Sequence, residues 1–208
     1  MKKKGGPVRL YSMPSSGNSY KVRLLLALLG RDCALIDVEY GSPALEAAHR
    51  DGRLPLGKAP VLELPDGRLL PESNAILCWL GEGTRFWPGD AVVRADMLAW
   101  MFWEQNQHEG VIAVRAALAW YPHRAVDATP ERMAALLEAG HRLLGRMEAH
   151  LAGRDWLVGD AVSLADICLY AYTHTAGSRG GFDMARFPAV TAWLDRVAAL
   201  PGAVGLDA

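Results

Sequence analysis

The chain is poor in cysteine, has no long apolar run and carries no excess of charge of either sign. Its three cysteines, Cys33, Cys78 and Cys168, lie far apart, are odd in number and form no Cys-x-x-Cys. That argues against a disulfide framework and a structural zinc site, and leaves them as buried free thiols. Lys and Arg number 22 against 23 Asp and Glu, so no global basic field exists to hold nucleic acid or anionic lipid. The split is even along the chain too: residues 1–82 carry 11 basic and 9 acidic side chains. No apolar run approaches the ~18–20 residues of a membrane span. The basic start Met1-Lys2-Lys3-Lys4-Gly5-Gly6-Pro7 lacks the apolar stretch and small-residue cleavage site that would make it a signal peptide. The first six residues read as a flexible tail, and a cytoplasmic protein is expected. Neither a repeat nor a low-complexity segment interrupts the pattern.

What is present is an ordinary globular composition: 51% apolar and 22% charged residues over 208 positions, enough for one domain or two small ones. The first ~80 residues mix strand and helix signals. Val8–Tyr11 is a short strand ended by Pro14. Ser15-Ser16-Gly17-Asn18-Ser19 is rich in helix-capping side chains. Val22, Leu25, Leu26, Leu28 and Leu29 then form a helical face stopped by Gly30. Residues 34–38 predict a second, mostly buried strand, and Pro43 opens a weak helix after Ser42. Val61–Leu64 and Arg68–Leu70 predict a hairpin around Pro65-Asp66-Gly67. Glu72-Ser73 precedes a helix over 74–80. The order β-α-β-α-β-β-α suggests a small sheet covered by helices.

Residues 83–90, with Gly83, Pro88 and Gly89, read as a linker. Beyond it strand signals nearly vanish, so residues 1–82 predict an α/β domain and 91–208 an all-helical one. Val92 to about Tyr121 predicts one long helix rich in Trp, Phe and Met. Thr129-Pro130 starts another, with Met133, Leu137, Gly140, Leu144, Met147 and Leu151 as its packing stripe. Ser163-Leu164-Ala165-Asp166 has the spacing of a capping box, with Asp in place of Glu. Pro188 opens the last helix.

Three groups of residues have the types needed for chemistry. The Ser15–Ser19 run sits between a strand and a helix N-terminus, where backbone N–H groups and the helix dipole favour an anion. Residue type alone favours plain helix capping by these serines. Gly57-Lys58-Ala59-Pro60-Val61 places a proline before a strand, and most X–Pro bonds are trans. Pro71-Glu72-Ser73-Asn74 opens a helix. Ser73 can cap it, or the free N–H groups and the hydroxyl can hold a carboxylate while Glu72 faces an ammonium. No His-Glu-x-x-His spacing accompanies His108, Glu109 and Glu104, and no metal is expected.

Taken together, these motifs resemble the cytosolic glutathione S-transferase family of the bacterial, serine-type kind. The resemblance is carried by Leu10-Tyr11-Ser12, Ser-Ser-Gly-Asn-Ser-Tyr-Lys-Val-Arg at 15–23, Gly57-Lys58-Ala59-Pro60-Val61-Leu62, Glu72-Ser73-Asn74-Ala75-Ile76 and Ser163-Leu164-Ala165-Asp166-Ile167. It covers residues 8 to about 200. It implies a thioredoxin-like N-terminal domain, an all-α C-terminal domain, a glutathione site between them, a cis Pro60 and a homodimer. Glutathione would be the co-substrate, without metal. In serine-type members the activating hydroxyl stands six residues before the apolar residue of the basic-Val/Ile pair. Counting back from Val22 gives Ser16, with Ser15 as second choice and Asn18 a further donor. Lys58 would pair with the glycine carboxylate, Ala59 would offer its backbone to the cysteinyl unit, and Glu72 and Ser73 would hold the γ-glutamyl ammonium and carboxylate. The first C-terminal helix would supply the electrophile pocket through Trp103, Gln107 and His108, with Arg115 facing an acidic electrophile. The implied activity is conjugation of glutathione to a small electrophile. The alternatives are glutathione-dependent isomerisation of an unsaturated diacid, disulfide exchange, and a non-catalytic binding protein. Four features depart from the pattern: Arg53-Leu54-Pro55-Leu56 where relatives more often carry Asn-Pro, Ala59 in place of Val, the glycine-rich loop 177–181, expected to be flexible, and the short C-terminus Gly202–Ala208, expected to leave the pocket open.

Overall fold

The computed structural model describes residues 8–206; the tail expected over 1–6 lies outside them. Two compact units divide the chain, Met1–Thr84 together with Leu200–Ala208, and Arg85–Ala199. In the first, the elements run β1 (Val8–Ser12), α1 (Gly17–Leu28), β2 (Cys33–Asp37), α2 (Pro43–Arg50), β3 (Val61–Glu63), β4 (Leu69–Pro71) and α3 (Ser73–Gly81). The sheet order is β2-β1-β3-β4. β1 and β2 are parallel, as a helical crossover requires, and the other two pairs are antiparallel.

Period-2 alternation sorts the sheet residues between two faces. Tyr11 and Val61 pair and pack with Val38, Ala48 and Leu54 and, partly buried, Ile36 and Leu45 of α2. Leu10 and Leu62, one residue off, point to the other face and are fully buried. Leu54, one of the departures from the family pattern, is therefore a core residue. The hairpin forms around Gly67 at φ +83, with Asp66 Oδ1 accepting from Arg68 N at 3.1 Å. β2 differs from expectation. It is an edge strand, and Ala34 and Leu35 are exposed rather than buried.

The second unit is helical: α4 (Ala91–Trp103), a π-helical segment (Glu104–Ala113), α5 (Val114–Trp120), a 3₁₀ turn (Pro122–Asp127), α6 (Pro130–Leu151), α7 (Leu164–Thr173), a second 3₁₀ turn (Met184–Arg186) and α8 (Pro188–Ala198). The single long helix predicted from Val92 to Tyr121 is thus three segments, because its middle adopts the wider π winding. α6 starts on its Thr129 cap, which accepts from Arg132 N at 3.3 Å. It buries Gly140, Leu144, Met147 and Leu151. Gly140 is where α6 meets Phe182: a Cβ there would stand 2.2 Å from the ring. The capping box at α7 forms. Its Asp166 does more than cap, accepting from Ser163 N (2.8 Å), Ser163 Oγ (3.0 Å), Leu157 N (2.9 Å) and Trp193 Nε1 (2.9 Å). Burial raises this carboxyl above its usual range, against the pull of those four donors.

Candidate functional site

Register brings the three N-terminal motifs to one end of the sheet. Tyr11 pairs with Val61, and Val61 with Pro71. The C-terminal end of β1, the N-terminal end of β3 and the C-terminal end of β4 are therefore level. The chain leaves β1 into Ser15–Ser19, enters β3 from Lys58-Ala59-Pro60, and leaves β4 into Glu72-Ser73.

At the first of these, Ser16 is the N-cap of α1, with φ −84° and ψ 129°. Its amide donates to Met13 O at 3.0 Å and its Oγ accepts from Ser19 N at 3.4 Å. Ser19 Oγ in turn accepts from Met13 N at 3.0 Å. The Ser16 hydroxyl proton has no acceptor among the described residues. Ser15 is differently placed. Its Oγ donates to Glu39 Oε1 at 2.9 Å and its amide to Glu39 Oε2 at 3.0 Å, while Tyr40 N also donates to Oε1 at 2.9 Å. The capping reading of this loop and the anion-donor reading are compatible. One lone pair of Ser16 caps the helix and its proton remains available.

Ser73 does not cap α3. The N-cap is Glu72, exposed, at φ 70° and with no side-chain cap bond. A positive φ is uncommon for a residue with a Cβ and costs energy. Ser73, buried in the first turn, donates from Oγ to Asn18 Oδ1 at 3.1 Å, which ties the first turn of α1 to that of α3. The Ala59–Pro60 bond is cis, as the resemblance implies. Ala59 is half-buried and Lys58 exposed. The structure thus joins Ser73 to Asn18 and sets Ser15 and Ser16 on the same turn as Asn18. Lys58, Ala59 and Glu72 sit at that end of the sheet through their strand termini. Glu39 went unnoticed in the sequence, where nothing marks a carboxylate after a strand as the partner of a serine 24 residues earlier.

The protein's own thiols are not poised for chemistry. Burial pushes Cys33 up to about 11 and raises Cys78 as well, so both are protonated near neutral pH. Cys168 is buried, donating to Glu104 Oε2 at 3.4 Å.

In the second unit the expected pocket residues separate. Trp103 is half-buried and borders a cleft of about 520 Å³ with Asp96, Trp100, Arg146, His150 and Arg154. Gln107 is exposed. His108 is fully buried, its Nε2 3.1 Å from Thr173 Oγ1 and its ring centroid 5.7 Å from that of Trp103. A ring with no accessible surface has none to offer a ligand, so His108 holds the π segment to α7 instead. Arg115 is also turned inward. It donates to Gly180 O at 2.6 Å and to Met133 O, and lies 5.7 Å from the Phe182 ring. That bond, with Gly181 N to Gly177 O at 3.0 Å and Phe182 N to Ala176 O at 3.2 Å, ties down the 177–181 loop expected to be flexible. Among the described residues no group of three or more His, Cys, Asp or Glu is placed to hold a metal ion. Among the described residues no helix is long and apolar enough to cross a membrane.

A four-stranded mixed sheet with helices, followed by a helical unit, is the thioredoxin-like architecture of glutathione transferases. Comparison with known proteins narrows this to a family. Residues 10–84 match the glutathione S-transferase N-terminal domain and residues 111–201 its C-terminal domain. A glutathione S-transferase from Xanthobacter autotrophicus Py2 superposes with a TM-score of 0.88 at 41% identity, over 96% of each chain. The glutathione S-transferase-like protein LUC7 of a Fusarium species is 30% identical over 89% of this chain and 85% of its own. The chain belongs to the glutathione S-transferase family. Its relatives differ in reaction: they include a disulfide-bond oxidoreductase of Escherichia coli and a maleylacetoacetate isomerase of Pseudomonas aeruginosa, each 28% identical.

Proposed function

We propose that this protein conjugates the glutathione thiolate to a small electrophile, with Ser16 donating the hydrogen bond that stabilises the thiolate. The observation that carries the reading is the uncommitted proton of Ser16 at the N-cap of α1, beside a Ser15 whose proton is engaged by Glu39. A free thiol of pKa ~8.5 is only a few per cent ionised at neutral pH. Lowering it by two units takes roughly 2.7 kcal/mol of preferential stabilisation of the anion. One charge-assisted hydrogen bond supplies ~1.5–3 kcal/mol and a helix N-terminus ~0.3–1 kcal/mol. The two suffice without a metal.

In this reading the Ser73 hydroxyl swings from Asn18 Oδ1 to donate to the γ-glutamyl carboxylate at the start of α3, and Glu72 faces the ammonium. Ala59 offers its backbone to the cysteinyl unit and Lys58 its charge to the glycine carboxylate. Asn18 positions the Ser73 hydroxyl and stands as a further donor. Trp103 and Gln107 are assigned to the electrophile pocket. The protein acts as a homodimer in the cytoplasm. Isomerisation of an unsaturated diacid is the second reading, supported by the relative so named. It differs in that glutathione is regenerated rather than consumed.

The test is a pH titration of bound glutathione, read by thiolate ultraviolet absorbance, in the native protein and in Ser16→Ala. The native protein is expected to ionise the bound thiol well below its free value. Ser16→Ala is expected to lose most of that shift and at least tenfold in turnover, with little change in affinity. An unaltered Ser16→Ala would move the role to Ser15 or Asn18. Bound glutathione without any shift would leave a binding protein.

A further inference from the structure

We propose that the C-terminal segment is a strap that holds the Ser15–Ser16 turn in place, and that Arg23 is the positioning residue through which it acts. The catalytic consequence rests on the Ser16 reading above, whereas the mechanical coupling stands without it. Arg23 lies on α1, only 6% exposed. Its Nη1 donates to Ser12 Oγ at 2.8 Å, and its Nη2 donates to Pro14 O at 3.0 Å and to Leu206 O at 2.6 Å. One guanidinium thus gathers the last residue of β1, the stem of the turn and a carbonyl 183 residues further on. The segment is held along α1 at two more points. Tyr20, 1% exposed, donates from its hydroxyl to Val204 O at 2.7 Å. Gly202, at φ +87°, comes so close that a Cβ there would stand 3.2 Å from Ala27 O.

The consequence follows from the fixed shape of the guanidinium. Its donors form a rigid planar fork that stays charged at any working pH. Buried, the fork is oriented by its acceptors. With Leu206 O removed, Nη2 loses its 2.6 Å acceptor and the guanidinium loses its tie to the C-terminal segment. Pro14 and Ser12 are then no longer pinned from the far side. Ser16 hangs from the same turn through the hydrogen bond its amide donates to Met13 O at 3.0 Å. A displacement of about 1 Å at a reacting group is enough to cost ~10²-fold in rate. The strap thereby links the chain's end to the group that meets the thiol.

The experiment compares the native protein with a chain ending at Val204, which keeps Arg23 and removes its Leu206 acceptor, and with Tyr20→Phe, which removes the hydroxyl that donates to Val204 O and keeps both Arg23 and Leu206. Three quantities are read: hydrogen exchange at the Ser16 and Ser19 amides, ionisation of bound glutathione against pH, and the melting temperature. In the chain ending at Val204 the two amides are expected to exchange at least tenfold faster than the rest of the first unit requires. The bound thiol should ionise at higher pH, and kcat should fall with KM for glutathione changed less than twofold. Tyr20→Phe should move all three in the same direction by less. Unchanged exchange at Ser16 and Ser19 in both variants overturns the proposal. So does faster exchange spread evenly over the whole unit with a matching fall in melting temperature, which would make the segment a source of stability only. Faster exchange confined to the turn, in a protein that never shifts the glutathione thiol, would uphold the strap and remove the Ser16 reading.

Discussion

Ser15 and Ser16 carry the same side chain, and one carboxylate separates their fates. Glu39 takes the Ser15 proton and amide, which leaves Ser16 to cap α1 with a lone pair and keep its proton. Ser73 shows the same economy: it donates to Asn18 Oδ1 and leaves the start of α3 without a side-chain cap. Ser73→Ala is therefore expected to weaken glutathione binding by a factor of roughly 5–30, as for the loss of one hydrogen bond of about 1–2 kcal/mol. Isothermal titration measures it directly, and unchanged affinity would remove Ser73 from the carboxylate site. The residue types of Ser15 and Ser73 were legible in the sequence, as was their suitability for anions. Their partners were not, because Glu39 and Asn18 meet them across 24 and 55 positions of chain.

Helix starts and stops followed local chemistry closely. Ser42, Thr129 and Ser163 cap the helices that their sequence context announces, since a cap is a contact within three residues and folds with the segment itself. The π segment at Glu104–Ala113 was not legible, for α and π windings share the same residue preferences and differ in what the neighbouring elements accept. The stripe on α6 was read correctly as a packing face, but only the packed structure explains its glycine. Gly140→Ala places a methyl carbon 2.2 Å from Phe182 Cε1 and 3.0 Å from Ile112 Cδ1. It is expected to destabilise the protein by about 1–3 kcal/mol, as overpacking does, despite alanine's better helix propensity. Urea unfolding checks this, and a stabilised Gly140→Ala would show that the Phe182 ring moves aside freely.

At the scale of the whole molecule the chain end returns to the first unit, so that Arg85–Ala199 stands in sequence as an insertion between two parts of one body. A polypeptide of residues 1–84 lacks the Val204 and Leu206 carbonyls that Tyr20 and Arg23 bond. Expressed alone, it is expected to melt several degrees below the same segment joined by a short linker to residues 200–208. Calorimetry of the two polypeptides decides it, and equal melting would show that the segment adds nothing to the unit. The homodimer belongs to this scale as well. Sedimentation equilibrium is expected to give twice the chain mass, and a monomer at micromolar concentration would withdraw that part of the proposed function.

By itself the sequence determined the alternation of strands and helices, the caps, the hairpin turn and the family, because periodicity, capping chemistry and motif order are properties of neighbouring residues. Tertiary structure alone decided which serine keeps its proton, that β2 is an exposed edge, that His108 and Arg115 face inward, and that Gly202, Val204 and Leu206 meet α1. Each of these depends on which groups meet across long stretches of chain. Burial and hydrogen-bond partnership are settled only when the packed elements bring donors, acceptors and apolar faces together.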